Sequence, residues 1–132
     1  MTVSNQVNDG VAAAPSDVFA TDCPGREILG HVTTRWATLI LGALAERAMR
    51  FYELRSKIGG ISEKMLSQNL KILVRDGLVT RTVEPSVPPK VSYCLTGTGS
   101  ELTGVLWSLV TWIGAHTADI KAAQDQHDQA AT

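Results

Sequence analysis

Lys64, Gln68, Lys71 and Arg75 recur on one side of the segment 59–77, with Ser67 beside them and no acid among them. Side chains three and four residues apart share a helical face, so this spacing gathers cationic, amide and hydroxyl donors on one surface. Such donors match phosphate oxygens and the acceptor-rich edges of base pairs in the major groove. A merely solvated face would have the same composition, and the flanking segments must decide between the two. Leu66, Leu70 and Leu73 form a separate apolar stripe suited to burial. Gly59-Gly60 supplies a turn ahead of the helix, and Ser62 can cap its first amides. Met65 stands where a full capping box would need Glu or Gln. Gly77 can take the left-handed conformation that ends a helix.

Other chemistries find no support. His31, His116 and His127 are scattered and share no metal-ligand spacing with an acid or cysteine. Ser62 is explained by capping, and no acid is placed to orient a base for a catalytic triad. The glycines form no dinucleotide-binding fingerprint. Neither catalysis nor a cofactor is expected. Cys23 and Cys94 make neither a disulfide framework nor a zinc site, so both default to free thiols in a reducing compartment.

The elements that must carry the donor face follow from pattern. Residues 1–20 lack periodicity and read as a flexible N-terminal tail. Asp22 or Cys23 can cap a short helix with Pro24 at its first position. Thr33 or Thr34 caps the next, in which Trp36, Leu39, Ile40, Ala43 and Leu44 form an apolar stripe. The extended connector 47–50 can pair with a later strand. Phe51, Leu54 and Ile58 give one face of a two-turn helix whose polar side includes Tyr52, Arg55 and Lys57 as phosphate contacts. Helix, glycine turn and helix make a helix-turn-helix.

Two strands, 78–83 and 91–95, follow from their β-branched and aromatic residues. Between them lie three prolines, which cannot donate to a ladder and so form a wing. Arg81 and Lys90 bracket this wing, where either can meet phosphate. Thr96 caps a long last helix in which Leu102, Val105 or Leu106, Leu109, Ile113 and His116 keep helical spacing. Trp107, Val110 and Trp112 widen its apolar surface beyond one stripe, which favours burial by a second chain. Trp36, Trp107 and Trp112 are primarily core candidates, with an effector pocket at the dimer interface as the alternative. From Asp119 the chain turns polar and should fray, leaving residues 120–132 as a polar C-terminal tail around a main domain of 21–119.

A chain of 132 residues fits one such domain. Its net charge of −1 hides an asymmetry: residues 47–90 hold nine bases against four acids, a local +5, and the rest of the chain sums to −6. That is a basic surface on an acidic scaffold. No stretch has the apolar length of a membrane span and no leader pattern opens the chain, so a cytoplasmic location without membrane association is expected.

The order of elements resembles the HxlR-type (DUF24) family of bacterial winged helix-turn-helix regulators. The matching landmarks are Cys23-Pro24, Arg35-Trp36 before Leu39-Ile40, Arg50-Phe51 with Glu53-Leu54, and Gly60-Ile61-Ser62 before Lys64, Leu66 and Gln68. They continue through Leu70, Asp76-Gly77-Leu78-Val79, Arg81, Glu84, Val87-Pro88-Pro89, Val91, Tyr93, Leu95-Thr96 and Gly99. The resemblance implies an α+β, mostly helical winged helix-turn-helix with additional N- and C-terminal dimerisation helices. It also implies a homodimer that binds double-stranded operator DNA on a pseudo-palindromic site.

Carried onto this chain, it makes Lys64, Ser67, Gln68 and Asn69 the base-contacting group. Tyr52, Arg55, Lys71, Arg81 and Lys90 become the DNA-backbone contacts. Ile28 from the first helix and Leu102, Leu106, Leu109, Trp112 and Ile113 from the last become dimerisation residues. Some members sense oxidants or electrophiles through a cysteine near Cys23, which makes Cys23 a candidate redox sensor. A thiol at a helix N-terminus has its anion favoured by free amides, with Arg26 nearby, while Asp22 opposes this; packing or capping is the competing role. An oxidant or small-molecule effector is thus a candidate partner. The alternative function is a winged-helix protein-interaction module without DNA readout, against which the basic face argues.

Overall fold

The computed structural model describes residues 17–131. The tail expected at 1–20 therefore lies mostly outside the described residues, which include only its last four positions. Those four form a turn, held by the Ala20 amide on the Asp17 carbonyl and by Arg26 Nη1 donating to the Phe19 carbonyl at 3.0 Å.

The fold is mostly helical. In chain order it runs α1 (Pro24–Val32), α2 (Arg35–Glu46), β1 (Met49–Arg50), α3 (Phe51–Lys57), α4 (Glu63–Arg75), β2 (Val79–Glu84), β3 (Lys90–Leu95) and α5 (Gly97–Ala131). The connector at 47–50 does pair: β1 lies antiparallel to β3, with Met49 opposite Tyr93. The sheet order is β1-β3-β2, and β2 pairs with β3 from Val79–Leu95 out to Glu84–Lys90, with the proline loop beyond.

Local chemistry sets the boundaries. The Thr34 hydroxyl accepts from the Ala37 amide, and the Ser62 hydroxyl from the Met65 amide, so both caps satisfy otherwise orphaned donors. Gly60 and Gly77 have φ of +85° and +75°, values that side chains resist, which is why glycine stands at the turn and at the stop. At α3 the Glu53 carboxylate accepts from the Arg50 amide at 2.8 Å. Cys23 is the N-cap residue of α1 and its side chain makes no capping hydrogen bond.

The core is built around α2, whose Ala37, Ile40, Leu41, Ala43 and Leu44 are buried. Against it pack Leu54 of α3, Leu66, Leu70 and Leu73 of α4, and Leu78 and Val79 at the sheet. Leu39, expected in this stripe, is half-exposed at its edge. Two glycines permit close packing by α5. A methyl group on Gly42 would overlap the Trp107 indole, and one on Gly99 would strike the Leu78 carbonyl. Trp36 packs at the core margin beneath the Arg35 guanidinium, 4.2 Å from the ring centre.

The last helix departs from expectation twice. It stays helical through Ala131, where residues 120–132 were expected to fray into a tail. Leu106, expected at a dimer surface, instead packs within the chain at 7% exposure, whereas Leu102 is only partly buried where it meets the core. The first turns of α5 rest on α2, so the residues facing α2 there are covered by their own domain. Among the described residues, no single helix is long and apolar enough to cross a membrane.

Candidate nucleic-acid interface

The interface is built on α4, whose burial pattern decides which side chains are free. Leu66, Asn69, Leu70 and Leu73 face inward. Lys64, Gln68, Lys71 and Arg75 are exposed and Ser67 is half-buried beside them. Asn69 requires a correction, because it was expected to read bases. It is only 8% exposed, its Nδ2 donates to the Met65 carbonyl at 2.8 Å, and its Oδ1 lies near the Thr34 hydroxyl. Position 69 is three residues after Leu66 and four before Leu73, so helical geometry places it on the buried side whatever its polarity. Its amide satisfies itself locally rather than facing outward.

Two groups of exposed cations lie around α4, α3 and the wing. Arg55 pairs with Glu63 at 2.8 Å, Lys57 with Glu46 at 3.1 Å, and Arg47 with Glu53 at 3.0 Å. Lys64, Lys71, Arg75, Arg81 and Lys90 have no acidic partner among the described residues. Three of these, Lys71, Arg75 and Arg81, line one open trough of about 430 Å³ between α4 and the sheet, with Ser67 and Tyr93 on its walls. Sequence reading took Arg75 as part of the α4 polar face but did not assign it a contact, and it missed Tyr93. The β2–β3 register was the missing signal, since Arg81 lies directly opposite Tyr93 across the ladder.

Unpaired cations around a trough make a site for phosphate, because each meets the anion without first leaving a partner. Arg55 differs. Its pair with Glu63 is exposed, and exposed pairs contribute only about 0–1 kcal/mol, so it can exchange partners at little cost. Tyr52 is exposed with the Arg50 guanidinium 5.3 Å from its ring centre. Lys90 begins β3 opposite Glu84, at the base of the wing.

Behind this surface, α1 touches the far end of α4. His31 Nδ1 lies 2.6 Å from Asp76 Oδ2, and Asp76 is the C-cap of α4. Cys23, at the other end of α1, is a half-buried free thiol, and Cys94 is a free thiol in β3. The three tryptophans serve different places: Trp107 lines a cleft beside Gly42, whereas Trp112 stacks on His116 at 4.1 Å.

Comparison with known proteins agrees with this architecture. Residues 31–121 match the model of the HxlR-like helix-turn-helix family. The chain is 43% identical over 126 residues to the HTH-type transcriptional regulator YtfH of Escherichia coli K12, covering 96% of this chain and 95% of that protein. A solved structure of the ytfH regulator from Salmonella typhimurium superposes with a TM-score of 0.79 at 44% identity, over 83% of this chain and 98% of that one. The redox regulator HypR in its reduced form superposes with a TM-score of 0.69 at 28% identity, over 75% and 98%. These relatives are regulators, not enzymes. The chain belongs to the HxlR-like helix-turn-helix family of transcriptional regulators.

Proposed function

We propose that the protein is a sequence-specific DNA-binding regulator that acts as a cytoplasmic homodimer on a pseudo-palindromic operator. The observation that carries this reading is the outward donor face of α4 beside a trough of cations that have no acidic partner among the described residues. Lys64, Ser67 and Gln68 supply base contacts, and Lys71, Arg75, Arg81 and Lys90 hold phosphates, with Tyr52 and Arg55 at the groove edge. A 13-residue helix is about 20 Å long, and a major groove about 12 Å wide admits it. In a dimer the two α4 helices would enter successive major grooves about 34–36 Å apart.

The test is operator selection followed by binding of Gln68→Ala. Loss of preference for the selected site, with nonspecific affinity retained, supports base readout by Gln68. Equal discrimination by variant and parent removes that role. Failure to select any sequence would favour a winged-helix protein-interaction module instead.

A second reading concerns regulation by oxidants, and Cys23 is the candidate sensor. It stands at the N-terminus of α1, whose other end bears His31 against the C-cap of α4. A shift of α1 on oxidation would therefore act directly on the end of the base-reading helix. Similarity to the redox regulator HypR supports this reading. Operator binding of parent and Cys23→Ser, before and after mild thiol oxidation, tests it: identical responses exclude Cys23 as the switch.

A further inference from the structure

A cleft of about 180 Å³ opens where α2, the end of α3 and α5 meet. Leu39 and Ala43 line it from α2, Ile58 from the α3 cap, and the Trp107 indole closes it from α5. The indole reaches this position because residue 42 is glycine and leaves room for the six-membered ring. At the edge stands one exposed ion pair, Lys57 Nζ to Glu46 Oε2 at 3.1 Å. Apolar cavities of about 150 Å³ accept benzene, so the space fits one six-membered ring.

The charge that such a ring should carry follows from the rim. Glu46 is the last residue of α2 and Ile58 the C-cap of α3, so two negative helix ends lie near a carboxylate. A cation is favoured there and a further anion is not. Glu46 already holds Lys57, but an exposed pair is weak, and a lysine that leaves it is readily solvated.

We propose that this cleft is a binding site for a small single-ring aromatic amine in its protonated form, with its ring against Trp107 and its ammonium on Glu46. Gly59 of the helix-turn-helix turn also lines the cleft. A ligand there touches α5 and the turn before α4 at once. If it binds one arrangement of these elements more tightly than another, it changes operator affinity. That consequence rests on the operator-binding reading; occupancy of the cleft does not.

Benzylamine, protonated at neutral pH, is the probe. The full chain is titrated while the Trp107 indole N–H is followed by NMR, its signal assigned with Trp107→Phe. A saturable shift is expected, with a dissociation constant of about 1 mM or tighter, ordinary for a ligand of this size. Glu46→Gln should weaken binding roughly fivefold, and Leu39→Trp, which fills the cleft from its half-exposed edge, should abolish it. Benzoate should give no shift. No saturable shift with benzylamine, equal binding of benzoate, or undiminished binding by Glu46→Gln would each overturn the proposal. Thermal unfolding checks that Leu39→Trp is folded; if it is not, Glu46→Gln decides. Binding of the amine with unchanged operator affinity would uphold the site and remove only the coupling.

Discussion

Arg75 and Arg81 face a trough without an acidic partner among the described residues, while Arg55 is held by Glu63. Phosphate contacts contribute through counterion release, so each free cation adds to the salt dependence of binding. Arg75→Ala and Arg81→Ala should each weaken binding to all duplexes alike and lower the salt slope by about one unit. Anisotropy titrations across ionic strength measure this, and Arg55→Ala should change the slope less. Glu53 offers a separate test. The Arg50 amide that donates to its carboxylate, with help from Arg47, holds its pKa below the ordinary 4.5. A lowered folded value means stability that is present above 4.5 and is lost as pH falls through the lowered value. Glu53→Gln should therefore be less stable than the parent at neutral pH and converge with it in acid, as urea midpoints across pH would reveal.

At the scale of elements, α4 is presented outward because Leu66, Leu70 and Leu73 anchor its other side in the core. Leu70→Ala should destabilise the domain by about 2–5 kcal/mol, the range for emptying a buried leucine site. The start of α5 has a different constraint. The Thr96 hydroxyl donates to the Gly77 carbonyl and accepts from the Gly99 amide, tying α5 to the end of α4. Gly99 itself lies against the Leu78 backbone, so Gly99→Ala forces the helix away and should cost about 1–3 kcal/mol, read from denaturant unfolding. A surface helix glycine would instead gain from alanine, so the sign of the change distinguishes the two situations. Caps, turn and wing were legible in the sequence because each depends on a few neighbouring residues. The inward turn of Asn69 was less so, because its residue type suggested exposure while its position on the helix required burial.

For the whole molecule, the question is what covers α5. The helix has 35 residues, about 52 Å, yet its buried residues Gly99, Thr103 and Leu106 all lie in the first three turns. Beyond them Leu109 and Ile113 remain 52% and 46% exposed, with Trp112 nearby and Ile28 exposed on α1. Fully burying such a side chain is worth about 1.5–3 kcal/mol, so a second copy seated on this face would be held chiefly by these residues. Replacing Leu109 and Ile113 together with glutamate should convert the proposed dimer to monomer by sedimentation while leaving the helical content intact. Operator affinity should fall with it, because each half then binds alone. Leu106→Ala should act first on folding, since its side chain is buried inside its own domain.

Sequence alone determined the order of elements, the serine and threonine caps, the glycine turn, the proline wing and the family. All of these are written in short-range patterns whose physics is local. Tertiary structure decided which members of those patterns remain free. It turned Asn69 inward, claimed Leu106 for the domain's own core, and gave Arg55 an acidic partner while leaving Arg75 and Arg81 without one among the described residues. It also pressed Trp107 onto Gly42, forming a cleft from residues more than sixty positions apart. A periodic stripe specifies a face, but only the packing of distant elements decides what that face meets.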